Sequence, residues 1–431
     1  MGSHWKRTYW VVWTANLITS IGMMSFLPFF PSLLEEMGVE GEAAVARWAG
    51  VCFAAAPLTA TFSAPLWGAI GDRFGRKAMV CRAMLAIAVF VGGMGFVTAP
   101  WQLLAMRFMQ GMFSGFIPPS ITLVSVSAPA DRQGRIAGNL ATALAIGGLC
   151  GPLLGGFLAA FLGSYQAVFF VVGSLAFGAA LLVWFGASED SSKRRTTDAS
   201  DRKSLRSVLR TSFSDLGEVL SSPTLRRTAF VVFALQFGLG AVNPTLELYV
   251  RDMFAGVRLE GSIWEPLTAF AGDDGLGLRQ RSIALATSLG FVVMAVANLV
   301  SLPLWGRYGD SIGFPRALMH CAVLSLLAIF VQAAAPLFLV LLAGRLLMGV
   351  GMAGIGPLAF GLAAGEASAD RRGGAFGAVF SARTFAVATG GMVGGALYEP
   401  LGGQGVMLLS AALLLGTILA FRGAARAPSA A

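Results

Sequence analysis

The sequence predicts an all-α membrane protein: twelve transmembrane helices in two pseudo-symmetric six-helix halves. Three observations carry this expectation. The 431 residues are 56% hydrophobic and only 12% charged, with a mean hydropathy of +0.73. A soluble domain carries about 25% charged residues, so this chain has too few polar side chains to cover a water-exposed surface. Apolar runs of roughly 20 residues, the length that spans a bilayer as a helix, recur along nearly the whole chain. Finally, the chain repeats itself. Ser63-Ala-Pro-Leu-Trp-Gly-Ala-Ile-Gly-Asp72 returns as Ser301-Leu-Pro-Leu-Trp-Gly-Arg-Tyr-Gly-Asp310, 238 positions later, and Arg107/Arg345, Gly111/Gly349 and Pro119/Pro357 keep the same offset.

Taken in order, the first half offers spans near 9–34, 47–70, 78–98, 101–126, 134–161 and 165–187. The second offers 226–250, 282–305, 316–335, 337–364, 374–398 and 402–421. The domains expected are 1–187, a basic, Ser/Thr-rich cytoplasmic linker over 188–223, and 224–431. The linker has room for a short amphipathic helix around Leu205–Leu220. Span one aligns with span seven at an offset of 216, through Pro28 to Met37 against Pro244 to Met253, and the loop after Met253 restores the difference. Ala130-Asp131-Arg132 aligns with Ala369-Asp370-Arg371 at an offset of 239. Two halves that start and end on the same side form the parallel-repeat plan of secondary transporters.

Charge sets the orientation. With alternate loops assigned to opposite sides, 23 of the 31 Lys and Arg residues fall on one side, five on the other (Arg47, Arg251, Arg258, Arg279, Arg281) and three within spans. This positive-inside bias makes both termini cytoplasmic. The net charge of +9 is therefore topological, with no nucleic-acid partner expected. Cys52, Cys81, Cys150 and Cys321 all lie in apolar segments without paired spacing, and His4 and His320 are the only histidines, so neither a disulfide framework nor a metal site is expected. Met1 to His4 is open to being a native start or an expression remnant. The run from Tyr9 is longer than a signal-peptide core and is expected to stay as the first span.

The stretch Gly68-Ala-Ile-Gly71-Asp72-Arg73-Phe-Gly75-Arg76-Lys77 places four charges and three glycines between two membrane-length runs. A charged turn this short has to sit at a bilayer face. Downstream lie Arg107-Phe-Met-Gln110-Gly111 in span four and Gly147-Gly-Leu-Cys-Gly151-Pro152-Leu-Leu-Gly155-Gly156 in span five. On these three motifs, in this order, the chain resembles the major facilitator superfamily, in particular its twelve-span drug:proton antiporter branch of bacterial multidrug efflux proteins.

The resemblance implies a secondary active transporter of the bacterial inner membrane, not an enzyme. It would export amphiphilic or hydrophobic small molecules in exchange for protons by alternating access, as a monomer in the lipid bilayer without a cofactor. One charge crossing 100 mV yields ~2.3 kcal/mol, enough to hold roughly a 40-fold gradient of a neutral substrate. The alternative within the same fold is a metabolite or lipid transporter without proton coupling. A non-transporting membrane enzyme or receptor finds no catalytic cluster, and the Gly-rich segments are helix faces, not phosphate cradles preceded by strands.

The resemblance also assigns roles. Gly68, Asp72, Arg73, Gly75 and Arg76, with Asp131 as a relay partner and Asp310 as the second copy, would latch the two halves through the start of span eleven near Gly373–Ala375. The other reading is a solvated loop whose charges fix topology. Arg107 and Arg345 stand mid-span, where a charge costs ~2.5–3.5 kcal/mol, and such residues face a cavity or a partner. A proton-transfer role for them stands beside a structural one. Gly147, Gly151, Pro152 and Gly155 form a small-residue face expected to pack on span eight. The spans lack the deep acids common in such antiporters, and Asn16 is the deepest polar group of span one. Glu247, one turn after Asn243-Pro244, is the carboxylate placed to enter the cavity. Carrying a proton there requires that burial, which disfavours the charged carboxylate, outweigh any neighbouring guanidinium, which favours it. Asn16, Met23, Phe26, Gln110, Phe113, Gln236, Asn243, Met348, Met352 and Arg383 complete the expected substrate cavity.

Overall fold

Helices in this chain end where the sequence supplies a breaker. The structure, a computed structural model, describes residues 4–127, 133–189, 222–256, 262, 264, 277–366 and 372–425. Among them every regular element is helical. Span one is interrupted at Pro28, dividing α1 (His4–Ser25) from α2 (Phe30–Glu36) by one 3-10 turn. The long α3 (Glu42–Phe74) stops at Gly75, whose φ of 98° is a left-handed conformation that glycine adopts without strain. Next come α4 (Arg76–Gly93), α5 (Pro100–Phe113), α6 (Ile117–Ser127), α7 (Gln133–Leu162) and α8 (Tyr165–Gly186). The break between α5 and α6 falls just ahead of Pro118 and Pro119, where the missing amide hydrogens would interrupt a continuous helix.

The later chain holds α9 (Pro223–Val242), α10 (Leu246–Phe254), α11 (Leu278–Ile312), α12 (Phe314–Ala333), α13 (Phe338–Ala353), α14 (Ile355–Glu366) and α15 (Arg372–Ala425). Asn243-Pro244-Thr245 separates α9 from α10 as a 3-10 turn, as Leu27 to Phe29 separates α1 from α2. Gly313, 238 positions after Gly75, repeats its backbone at φ 89°. Within α15, Gly402 leaves the helical region (φ 65°, ψ 177°) and divides the rod where spans eleven and twelve are expected to meet. Ten helical stretches among the described residues are long and apolar enough to cross a membrane.

The chain forms two compact units. One holds α1, α2, α4 to α8, the latter part of α3 from Leu58, and α11 up to Ser288. Its core is aromatic and aliphatic: the Phe26 ring lies tilted against Phe169 (5.2 Å) and edge-on to Phe30 (5.9 Å), with Met84, Ile87 and Leu103 fully buried. The other holds the start of α3 through Pro57, α9, α10, α11 from Leu289, and α12 to α15. Phe237, Ala241, Ala386 and Val406 form a core between α9 and α15. Large apolar side chains also stand exposed around both units, Phe62, Phe185, Val300 and Leu339 among them. In water so much exposed apolar surface would drive association, whereas lipid accepts it.

Candidate transport site

In the first unit α1, α5 and α6 carry buried polar groups, among them Asn16, Arg107, Gln110 and Ser120. Arg107 is 4% exposed, and its Nη1 donates to Gln110 Oε1 at 2.6 Å, one turn along α5. The guanidinium also lies 5.3 Å from the Phe30 ring and 5.7 Å from Phe26, within reach of their negative faces. Gln110 is fully buried, and its Nε2 has no partner among protein atoms. Ser120 of α6 donates to Asn16 Oδ1 of α1 at 3.0 Å. Phe113 stacks on Phe90 and meets Trp67, both at 5.7 Å, while Met23 is half-buried.

The second unit builds a parallel arrangement from different residues. Arg345 is 1% exposed; its Nη1 donates to Asn243 Oδ1 at 3.0 Å and approaches the Met294 sulfur at 3.8 Å, with the Phe291 ring at 5.6 Å. Arginine, a side-chain amide and an aromatic face thus recur at both positions, although the amide comes from the arginine's own helix in one and from the 3-10 turn after α9 in the other. Gln236 is buried with its Oε1 unpartnered, and Met348 and Met352 are buried on α13. Glu247, 1% exposed at the start of α10, faces Arg251 at 3.9 Å, a long ion pair one turn away. Arg383 is exposed.

Of the charged-turn residues, Gly75 and Arg76 are described in full. The backbone of Gly68, Asp72 and Arg73 is helical, Asp131 lies outside the described residues, and Asp310 is exposed. The turn brings in a residue that the sequence reading passed over. Glu189, just after α8, accepts from the Arg76 and Lys77 amides at 2.8 and 3.1 Å. A carboxylate on the first free N–H groups of α4 is favoured by their unpaired hydrogens and by the helix dipole. The only sequence signal was an acid at the end of span six, where it resembled a solvated terminus.

The glycine face of α7 requires a correction. A Cβ on Gly147 would overlap Ser20, one on Gly151 would meet Met24 Cβ at 2.6 Å and Ile21 O at 2.7 Å, and one on Gly155 would overlap the Ser25 carbonyl. These three residues seat α7 on α1, not on span eight. Gly156, one position on, is the residue facing Ser288 of α11. The i, i+4 spacing puts the three glycines on one stripe, and only the packing reveals which helix fills it. Pro152 is buried, and α7 continues through it.

Arginines and a carboxylate buried inside apolar spanning segments are costly and mark a functional site. A family profile described as Major Facilitator Superfamily matches residues 12–271 and 274–431, so the chain belongs to that superfamily of transporters. The Salmonella paratyphi A "Multidrug resistance protein MdtG" is 30% identical over 417 residues, covering 96% of this chain and 94% of that protein. The protein of the same name from Yersinia enterocolitica is 29% identical over 331 residues, covering 77% and 72%. Among solved structures, the nucleoside transporter NupG superposes with a TM-score of 0.75 at 12% identity (97% and 99% covered). The xylose transporter XylE from E. coli gives 0.72 at 15%, with 98% of each chain covered. These structural likenesses speak for the fold alone.

Proposed function

We propose that the protein is a twelve-span exporter of the bacterial inner membrane, with cytoplasmic termini, that expels hydrophobic or amphiphilic small molecules in exchange for protons. The observation that carries the reading is the set of ionisable groups buried in spanning segments, Arg107, Glu247 and Arg345, in a chain 30% identical over 96% of its length to a protein named for multidrug resistance. A buried carboxylate is the group that can take up and release a proton within the span, so Glu247 is our choice for the coupling residue. Ten long apolar stretches, α5 and α6 together filling the expected span 101–126, and the break at Gly402 that divides α15 support a count of twelve, with the halves 1–187 and 224–431 as the moving bodies and 188–223 as their linker. Asp72, Arg73, Arg76, Asp131 and Asp310 serve as the latch in this reading, and Met and Phe side chains give the cavity an adaptable apolar lining.

Inside-out vesicles test the reading. With the lumen acidified, adding a transported hydrophobic compound dissipates the pH gradient as protons leave in exchange. A gradient unchanged across a broad panel of such compounds overturns proton-coupled export. Selective stabilisation of the purified protein by one polar metabolite would favour the uncoupled alternative.

A further inference from the structure

Arg383 is a cation within a spanning segment that stays open to a ligand. It lies about three turns into α15, inside the apolar stretch Val379–Phe421. An ionisable side chain in such a segment faces the bundle interior or a water-filled cavity. The packing of α15 agrees. Residues 4, 7, 8 and 11 positions further on share its helix face, and all of them meet other helices. Val387 lies against Gly240 of α9, Gly390 against Phe237, Gly394 against Ala241, and Gly391 against Gly50 of α3. The opposite face carries Phe385 and Met392, both exposed as lipid-facing side chains are. Arg383 stands on the inward stripe and is exposed all the same, so the close packing ends at Val387 and leaves an opening one turn before it.

Charge selects what enters that opening. Arg107, Glu247 and Arg345 are nearly sealed, whereas Arg383 is accessible. Among the described residues Arg383 makes no ion pair and no hydrogen bond. Helices α9 and α15 run in the same direction here, since Phe237 meets Gly390 and Ala241 meets Gly394. One turn before the contact of Gly240 with Val387, Gln236 therefore stands level with Arg383. That neighbour is neutral and does not cancel the charge. Phe380, one turn before Arg383, is exposed and offers an apolar surface. A guanidinium held in an apolar segment without a counter-charge favours an anion, which it binds through paired N–H donors. We propose that the exported compounds are anionic amphiphiles, whose carboxylate-type headgroup docks on Arg383 while the apolar body packs on Phe380. The inference rests on the export reading above and names its substrate class.

The test measures binding of three fluorescent probes to the purified full chain in detergent at neutral pH. All share a pyrene and a four-carbon chain, and they end in a carboxylate, an alcohol or a trimethylammonium group. The carboxylate should bind roughly tenfold or more tighter than the alcohol, the scale of one charge-assisted hydrogen bond, and the trimethylammonium weakest. Arg383→Gln should level the carboxylate with the alcohol, and Arg383→Lys should keep the order. Arg316→Gln, which removes an exposed charge at the start of α12, should bind as the wild type does. Equal affinity for carboxylate and alcohol, or a preference for the trimethylammonium, overturns the anion preference and leaves export itself standing. So does an Arg383→Gln protein that retains the carboxylate preference. Binding of none of the three also overturns the inference, while the pH-gradient assay in vesicles judges the export reading separately.

Discussion

Trp67 and Trp305 stand 238 positions apart and make the same hydrogen bond: Nε1 of Trp67 donates to the Met112 carbonyl at 2.6 Å, and Nε1 of Trp305 to the Val350 carbonyl at 2.7 Å. The acceptors are also 238 apart. The surroundings follow the same offset, since the Arg82 guanidinium lies 3.4 Å over the Trp67 ring, while at the matching position His320 bonds to Tyr308, which packs on Trp305. The repeated sequence has become repeated geometry.

Each indole anchors a helix pair through one bond. Trp67→Phe and Trp305→Phe should each lower stability by about 0.5–1.5 kcal/mol, the net worth of a hydrogen bond. Thermal unfolding in detergent should show the larger loss for Trp67→Phe, which also weakens the Arg82 contact.

The glycine contacts obey two offsets at once. Gly155 abuts the Ser25 carbonyl in one unit and Gly394 abuts the Ala241 carbonyl in the other; the glycines differ by 239 positions and their partners by 216, as the sequence alignment requires. Gly155→Ala and Gly394→Ala each drive a methyl into backbone that cannot step aside. Both should sharply reduce the yield of monodisperse protein, while Gly416→Ala, which meets open space, should leave it unchanged within twofold. Size-exclusion chromatography of the three variants decides.

Glu189 holds the first turn of α4 through two amides. Glu189→Ala should cost about 1 kcal/mol, in the range of other lost N-terminal caps, with Glu189→Gln intermediate because it accepts without the charge. Equal unfolding midpoints for all three proteins would show that the cap contributes nothing.

Arg47 and Glu399 form an ion pair at 2.9 Å with both side chains more than half exposed (54% and 58%). Solvent screens such a pair, so a double-mutant cycle with Arg47→Ala and Glu399→Ala should give a coupling of only about 0.2–1 kcal/mol, falling as salt is raised. The buried Glu247 should behave differently. If it carries the proton, Glu247→Gln fixes the neutral state, and substrate binding should be equally weak at both pH values, at the level of the wild type at low pH. Fluorescence titration of a bound dye at two pH values, with Glu399→Gln as the exposed control, reads this directly.

Much of the fold was legible because the bilayer demands length and apolarity, which composition displays directly. The expected spans 9–34, 101–126 and 226–250 ran unbroken through Pro28, Pro118 and Pro244, where the structure interrupts each helix because proline lacks the amide hydrogen it needs. The candidate site was legible only as a set of costly residues. Arg107 and Arg345 announce themselves in apolar runs, but their partners are chosen by packing. Gln110 was near enough in sequence to be grouped with Arg107. Gln332 lies 13 positions before Arg345 and joins it only when α12 lies beside α13.

By itself, then, the sequence determined that this is a helical membrane protein built on a repeat, because hydropathy and a constant offset are properties of the linear chain. Tertiary structure decided that the α7 glycines seat α1, that Glu189 caps α4, and that Arg345 bonds to Asn243. Those outcomes depend on which helix lies beside which. The i, i+4 pattern specifies a face but not its neighbour, and hydrogen-bond partners far apart in the chain are selected only when close packing brings their backbones within reach.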